Sequence, residues 1–176
     1  MKIVKTSLIV LTVILGVVLV VALFLPSGFI VERAIEIEGP PDSVFKLVEN
    51  VETLVKWNPW SRLDPAAENT LSDSLTGEGA YWYWNGEVIG KGSMTITSID
   101  MNKRIDYILR FDEPKMNPSD IIFHFEPTAF GTNVRWINRG NLNYPIGRYF
   151  GLLMDGMLGK DFEKGLLNLK ELAENK

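Results

Sequence analysis

From Leu8 to Leu25 the chain reads LIVLTVILGVVLVVALFL, a run without one charged residue in which only Thr12 and Gly16 depart from large apolar residues or Ala. A helix crosses the hydrocarbon core of a bilayer with roughly 20 such residues, and about 17 suffice at the short end. A helix buried in a soluble core would show a polar face, and this run has none. Pro26, Ser27 and Gly28 then stop it, the first lacking an N–H and the last flexible. A cleaved signal peptide is the competing reading, but its apolar region runs ~7–15 residues before a small-x-small site. Here the run is longer, Phe24, Leu25 and Pro26 suit cleavage poorly, and the weak site Val20–Val21–Ala22 lies inside it. Residues 1–28 are therefore expected to form an uncleaved transmembrane anchor and its exit. Lys2, Lys5 and the amino terminus precede the span, whereas Glu32 and Arg33 cancel after it. The positive-inside bias keeps the N-terminus cytoplasmic and sends the rest across the membrane, to the periplasmic side in a bacterium.

Residues 29–176 carry no repeat, low-complexity tract or linker and read as one domain. Setting aside Lys2 and Lys5 leaves 16 of the 18 basic residues against 22 acidic ones, a net charge of −6. Such a domain is not expected to bind nucleic acid, whose phosphates require clustered Lys and Arg. The absence of cysteine excludes disulfides, thiolate nucleophiles and Cys-ligated zinc.

Phe29–Ile37 alternates as a first strand, and Gly39–Pro40–Pro41 breaks it. Asp42 and Ser43 open a short helix with Val44, Phe45 and Val48 on one face, and Leu54 and Val55 suggest a second helical turn. Strand-like runs follow at Thr70–Leu75, Ala80–Trp84, Ser93–Ile99, Arg104–Phe111, Asp120–Glu126 and Thr132–Asn138, separated by Gly-, Asn- and Pro-rich breaks. Strands in succession without intervening helices predict an antiparallel sheet. From Ile146 to Leu172 the apolar residues recur at helical spacing, which predicts one long closing helix. The fold class is α+β: a curved antiparallel sheet of about seven strands wrapped on a C-terminal helix, behind one transmembrane helix.

Particular motifs strengthen this. They are Val31–Pro41 (VERAIEIEGPP) with Val44–Phe45, Trp57–Asn58–Pro59–Trp60, Trp84–Asn85–Gly86 with Gly90–Lys91–Gly92, Gly131–Trp136 (GTNVRW), and Phe162–Lys170 (FEKGLLNLK). In this order the chain resembles the START-related helix-grip superfamily, whose members include polyketide cyclase/dehydrase-like and Bet v 1-like proteins. The resemblance covers residues 29–176. It implies a cavity between sheet and long helix that in relatives takes lipids, sterols, polyketides or other apolar molecules. Some relatives catalyse cyclisation or dehydration, many only bind or carry, and others act as co-chaperones, so the fold alone does not choose.

His124 is the only histidine. In Asp120–Glu126 it alternates with Ile121, Phe123 and Phe125, so it is expected on the outward face, away from any substrate. A Ser-His-Asp triad would need the same residue. No HExxH, paired histidine or calcium-loop spacing is present, and Gly90–Lys91–Gly92 lies between strands, where it reads as a hairpin turn. Asp106, Arg110 and Asp112 fall on the outward face of their strand, and Asp155, Asp161 and Glu163 read as a solvated stripe on the last helix. No catalytic residue, metal site or cofactor is expected.

The chain offers aromatic surface instead. The expected ligand-binding set is Trp57, Trp60, Trp82, Trp84, Met94, Ile96, Phe111, Phe123, Phe125, Trp136, Leu153 and Met157, an apolar lining with few polar groups. The same side chains also suffice to fill a core. Gly151, Gly156, Gly159 and Gly165 in the closing helix, each costing up to ~1 kcal/mol relative to Ala, point to close approach, a bend or room for a guest. The expected partners are the membrane and a lipid-like, polyketide-like or isoprenoid-like molecule. Two rivals stay open: a cyclase/dehydratase using Tyr81, Tyr83 or Arg135, and a protein–protein docking module.

Overall fold

The computed structural model describes residues 2–175, with side chains from residue 4 onward. Helix α1, Lys2–Phe24, includes the stretch Val4–Phe24, 21 residues long and apolar enough to cross a membrane. At 1.5 Å per residue that is about 32 Å, close to the ~30 Å of a hydrocarbon core. Only Leu25, Pro26 and Ser27 separate it from β1, Gly28–Ile37.

The chain then crosses the sheet face as two short helices, α2 (Pro41–Glu49) and α3 (Val51–Trp57). Asn50 makes the break. Its extended backbone ends α2, and its Oδ1 accepts from the N–H groups of Glu52 and Thr53 to cap α3. A 3-10 turn, Trp60–Arg62, leads into β2 (Glu68–Leu71), β3 (Tyr81–Asn85), β4 (Lys91–Asp100), β5 (Arg104–Glu113), β6 (Ser119–Pro127) and β7 (Thr132–Asn141). These seven strands form one antiparallel sheet in the order β1-β7-β6-β5-β4-β3-β2. The first two strands thus occupy opposite edges, which is why α2 and α3 must span the face between them.

β2 begins and ends earlier than alternation over Thr70–Leu75 predicts. The Ser72 hydroxyl accepts from the Tyr81 N–H and donates to the Ser74 carbonyl, turning the chain out of the ladder, while the Leu75 carbonyl accepts from the Val51 N–H. Leu75 then packs on the core from a loop. The other strands lie where their alternation places them, with Trp82, Trp84, Met94, Ile96, Phe123, Phe125, Val134 and Trp136 buried on the inner face.

Helix α4, Ile146–Glu174, spans about 44 Å at 1.5 Å per residue. Its second half buries Phe162, Leu166 and Leu169, and glycines set its approach. A Cβ on Gly165 would lie 2.6 Å from the Trp136 ring and 2.9 Å from Pro59, and one on Gly159 would collide with the Arg33 guanidinium. Gly156, by contrast, faces open space.

Candidate functional site

The inner face carries two aromatic clusters. In the first, Trp136 on β7 stacks on Phe162 of α4 at 4.2 Å between ring centroids. Trp57 and Trp60 meet Trp136 edge-on at 5.5 and 5.9 Å, and Phe123 lies beside Trp136 at 5.2 Å. In the second, Trp82 and Trp84 on β3 lie 4.7 Å apart, with Phe111 of β5 edge-on to Trp84 at 5.7 Å. Gly92 makes room for the Trp84 ring, from which a Cβ there would sit 2.5 Å away. Met94 stands opposite Trp82 across the ladder, Ile96 opposite Tyr107, and Phe125 packs on Phe45 of α2 at 5.3 Å. Ten of the twelve residues expected to line a ligand site therefore point into one interior.

Leu153 and Met157 do not. Both are 58% exposed, outside this interior. Helical spacing groups them with Leu166 and Leu169, but the first half of α4 is apolar around more of its circumference than one face requires, so periodicity does not distinguish the buried side from the exposed one.

A strap over the first cluster runs from Trp57 to Asp64. It is fastened to α4 by side chains: the Trp60 indole N–H donates to Asp161 Oδ2 at 3.2 Å, Asn168 Nδ2 to the Trp57 carbonyl at 3.0 Å, and Arg62 Nη1 to Asn168 Oδ1 at 3.4 Å. At its far end the buried Asp64 carboxylate accepts from the Val88 and Ile89 N–H groups in the β3–β4 turn. A cavity of about 260 Å³ opens beside the strap, lined by Lys56, Trp57, Arg62, Asn168, Glu171, Leu172 and Asn175. Asp161 is thus a fastening and not part of a solvated stripe. Asp155 and Glu163 are exposed, as the stripe reading expects, and also hold the Arg33 guanidinium at 2.9 and 2.8 Å, tying α4 to β1. Arg33 hydrogen-bonds Asp155 and so keeps that carboxyl below the usual range.

Polar groups in this interior are few. The Trp57 and Trp82 indoles donate to the Leu47 carbonyl and to Asn69, and Tyr107 donates to the Val48 carbonyl at 2.6 Å. Burial, with Glu49 adding to it, pushes the Tyr107 phenol well above its ordinary value. Among the described residues, five groups buried on this side find no partner: Asn58 Nδ2 and Ser61 Oγ on the strap, the indole N–H groups of Trp84 and Trp136, and Asn138 Oδ1 on β7. None of Asn58, Ser61, Asp64 and Asp161 is evident as a site residue from spacing. The doubled tryptophan of Trp57–Asn58–Pro59–Trp60 is the one local sign that this stretch folds over aromatic rings.

His124 lies on the opposite, outward face, paired across the ladder with Arg104 and Arg135. Partial burial and these two cations hold its pKa below the ordinary imidazole value. Tyr81, Tyr83 and Arg135 alternate with the buried residues of their strands and also face outward. Among the described residues, no group of three or more His, Asp or Glu side chains is placed to hold a metal ion.

A curved antiparallel sheet gripping one long helix over an aromatic interior defines a helix-grip domain. The chain belongs to the family described as polyketide cyclase / dehydrase and lipid transport, whose model matches residues 29–174. A search of curated proteins found no match. Among solved structures, the chain is similar to a Staphylococcus aureus protein of unknown function, with a TM-score of 0.64 and 15% identity over 84% of this chain and 94% of that one. A Rhizobium leguminosarum protein gives 0.62 and 18% over 85% and 96%, and the Aha1 dimer from Colwellia psychrerythraea gives 0.56 and 20% over 82% and 96%. At these identities the likeness is one of fold.

Proposed function

We propose that this is a single-pass membrane protein, N-terminus cytoplasmic, whose extracytoplasmic domain binds an apolar small molecule bearing a polar group. The ligand lies between the sheet, the strap and α4, and no covalent chemistry is done on it. The observation that carries this is the set of unpartnered buried groups, the donors Asn58 Nδ2, Ser61 Oγ and the Trp84 and Trp136 indoles with the acceptor Asn138 Oδ1, against an otherwise aromatic interior. An unsatisfied buried polar group costs about 1–3 kcal/mol, which apolar side chains of similar shape would avoid. A ligand's hydroxyl or carboxyl oxygens would satisfy such groups. The strap supports the reading too, because side-chain bonds to α4 can open without disturbing a ladder. The interior is otherwise filled by its own rings, so entry requires the strap to lift and Trp60 to swing outward. α1 supports the tethering and Lys2 and Lys5 the orientation, and the family description includes lipid transport.

The test is a titration of the full chain in nanodiscs with oleate, farnesol and cholesterol, followed by tryptophan fluorescence. A bound ligand produces a saturable shift and raises the melting temperature by mass action. No saturable response to any of the three, with an unchanged melting temperature, would reject the reading. A protein-docking module would then be favoured, for which the self-filled interior speaks.

A further inference from the structure

Helix α1 is not joined to the domain by a loose tether. The Leu142 N–H donates to the Ser27 carbonyl at 2.8 Å, and Gly28 already pairs with Asn141 in the sheet. The start of α4 then runs beside the end of α1. Arg148 Nη1 donates to the Ala22 and Leu23 carbonyls at 2.9 and 3.2 Å, two of the last four that a helix leaves without internal partners. Its charge also sits at the negative end of the α1 dipole. The Tyr144 hydroxyl donates to the Leu19 carbonyl at 2.8 Å and the Tyr149 hydroxyl to that of Val18 at 2.7 Å, while Ala22 is fully buried. Val18 and Leu19 precede Phe24 by six and five residues, which is about 8–9 Å along the axis. With α1 spanning the bilayer up to Phe24, those carbonyls would lie inside the outer edge of the hydrocarbon layer. The hydroxyls of the two tyrosines that reach them would then be at the same depth.

Ile146, Phe150, Leu153 and Met157 follow one another at i, i+4, i+7 and i+11, which places them in a single stripe on α4. They are 67%, 54%, 58% and 58% exposed. Leu153 stands one turn beyond Tyr149, so the stripe flanks the α1 contact, whereas Arg148 lies across the helix from Ile146 and Phe150 and the exposed Leu152 continues the side that Arg148 turns to α1. Between Ile146 and Leu158 the only charges are Arg148 and Asp155, engaged with α1 and with Arg33. No charge therefore interrupts the stripe before Lys160, one turn beyond Met157.

We infer that the first three turns of α4 are an interfacial membrane segment, with Ile146, Phe150, Leu153 and Met157 inserted in the leaflet from which α1 emerges. Tyr144 and Tyr149 act as interfacial aromatic anchors there, and the Arg148 stem runs along the apolar surface with its head on helix carbonyls. The domain is thereby held in one orientation on the bilayer, α4 down, with the hairpin turn at Phe130 at the far end of the sheet. The inference rests on α1 spanning the membrane.

Because the chain has no cysteine, single labels report each position separately. Ile14→Cys in α1, Leu153→Cys and Met157→Cys in the stripe, and Phe130→Cys at the far end each receive an environment-sensitive fluorophore. The full chain is placed in nanodiscs of phosphatidylcholine and phosphatidylglycerol with and without brominated acyl chains. The expected result is loss of most of the emission at positions 14, 153 and 157, and none at 130. Quenching at 14 with emission at 153 and 157 as intact as at 130 overturns the interfacial segment and leaves the anchor standing. A blue-shifted but unquenched label at 153 or 157 means that a protein surface covers the stripe, which also overturns it. No quenching at 14 removes the anchor and the inference with it.

Discussion

Two identical substitutions in α4 should have opposite effects, and the difference reads out how the helix is seated. Replacing Gly by Ala inside a helix gains about 0.8–1 kcal/mol of intrinsic propensity wherever the new methyl is free. At Gly156 nothing lies within 4 Å of the added Cβ, so Gly156→Ala should stabilise the protein by close to that amount. At Gly165 the same Cβ would come to 2.6 Å from the Trp136 ring and 2.9 Å from Pro59. The ring cannot retreat freely, because it is stacked on Phe162 at 4.2 Å and bounded by Trp57, Trp60 and Phe123. Inserting a methyl into so packed a place costs about 1–3 kcal/mol. The propensity gain is common to both variants, so their stabilities should differ by about 1–3 kcal/mol, Gly165→Ala being the weaker. Urea unfolding of the full chain in detergent, followed by circular dichroism, measures this directly. Variants within ~0.5 kcal/mol of each other, the usual scatter of surface changes, would refute the seating of α4 on Trp136.

Three further outcomes are expected. Ser61→Ala removes an unpartnered hydroxyl, so stability should stay level or rise while affinity for oleate or farnesol falls; a purely structural Ser61 would leave binding unchanged. Asp161→Leu takes away the acceptor of the Trp60 indole, which should cost about 0.5–1.5 kcal/mol and, in stopped-flow fluorescence, speed ligand entry; an unchanged entry rate would rule out lifting of the strap. His124 titrates below its unfolded value near 6.5, so the folded state is the poorer proton binder. Its contribution to stability is therefore present above about pH 6.5 and lost as pH falls through the folded value. The single imidazole resonance should report that lowered pKa by NMR, and His124→Gln should flatten the acid limb of the stability curve between about pH 7 and 5; an ordinary pKa would contradict the Arg104–His124–Arg135 arrangement.

The sheet was legible because each strand alternates. Phe123 and Phe125 against His124, or Ile105 and Tyr107 against Asp106, fix face and register together. β2 was less legible because side-chain hydrogen bonds from Ser72, not alternation, decide where it ends. The inward face of the aromatic set followed from the same rule, but the two clusters did not. Whether Trp57 meets Trp136 depends on where the α2–α3 crossing lands, and nothing within one strand encodes that. Leu153 and Met157 were misleading because the first half of α4 is apolar around more of its circumference than the face it packs, and these two lie on a side that stays exposed. Asp155 and Glu163 are solvent-facing as read, but that they hold Arg33, and that Asp161 holds Trp60, was not legible because those partners lie about 100 or more residues away in sequence.

The central claim, that the interior accepts an amphiphilic ligand at the membrane, is tested most directly by what the protein carries from its own bilayer. The full chain, extracted in mild detergent and released in the gas phase, should show by native mass spectrometry an apolar small molecule bound in fixed stoichiometry, lost on unfolding and depleted in Ser61→Ala. A protein that emerges at its bare mass, or that holds the same mixed lipids equally in wild type and Ser61→Ala, would contradict the account.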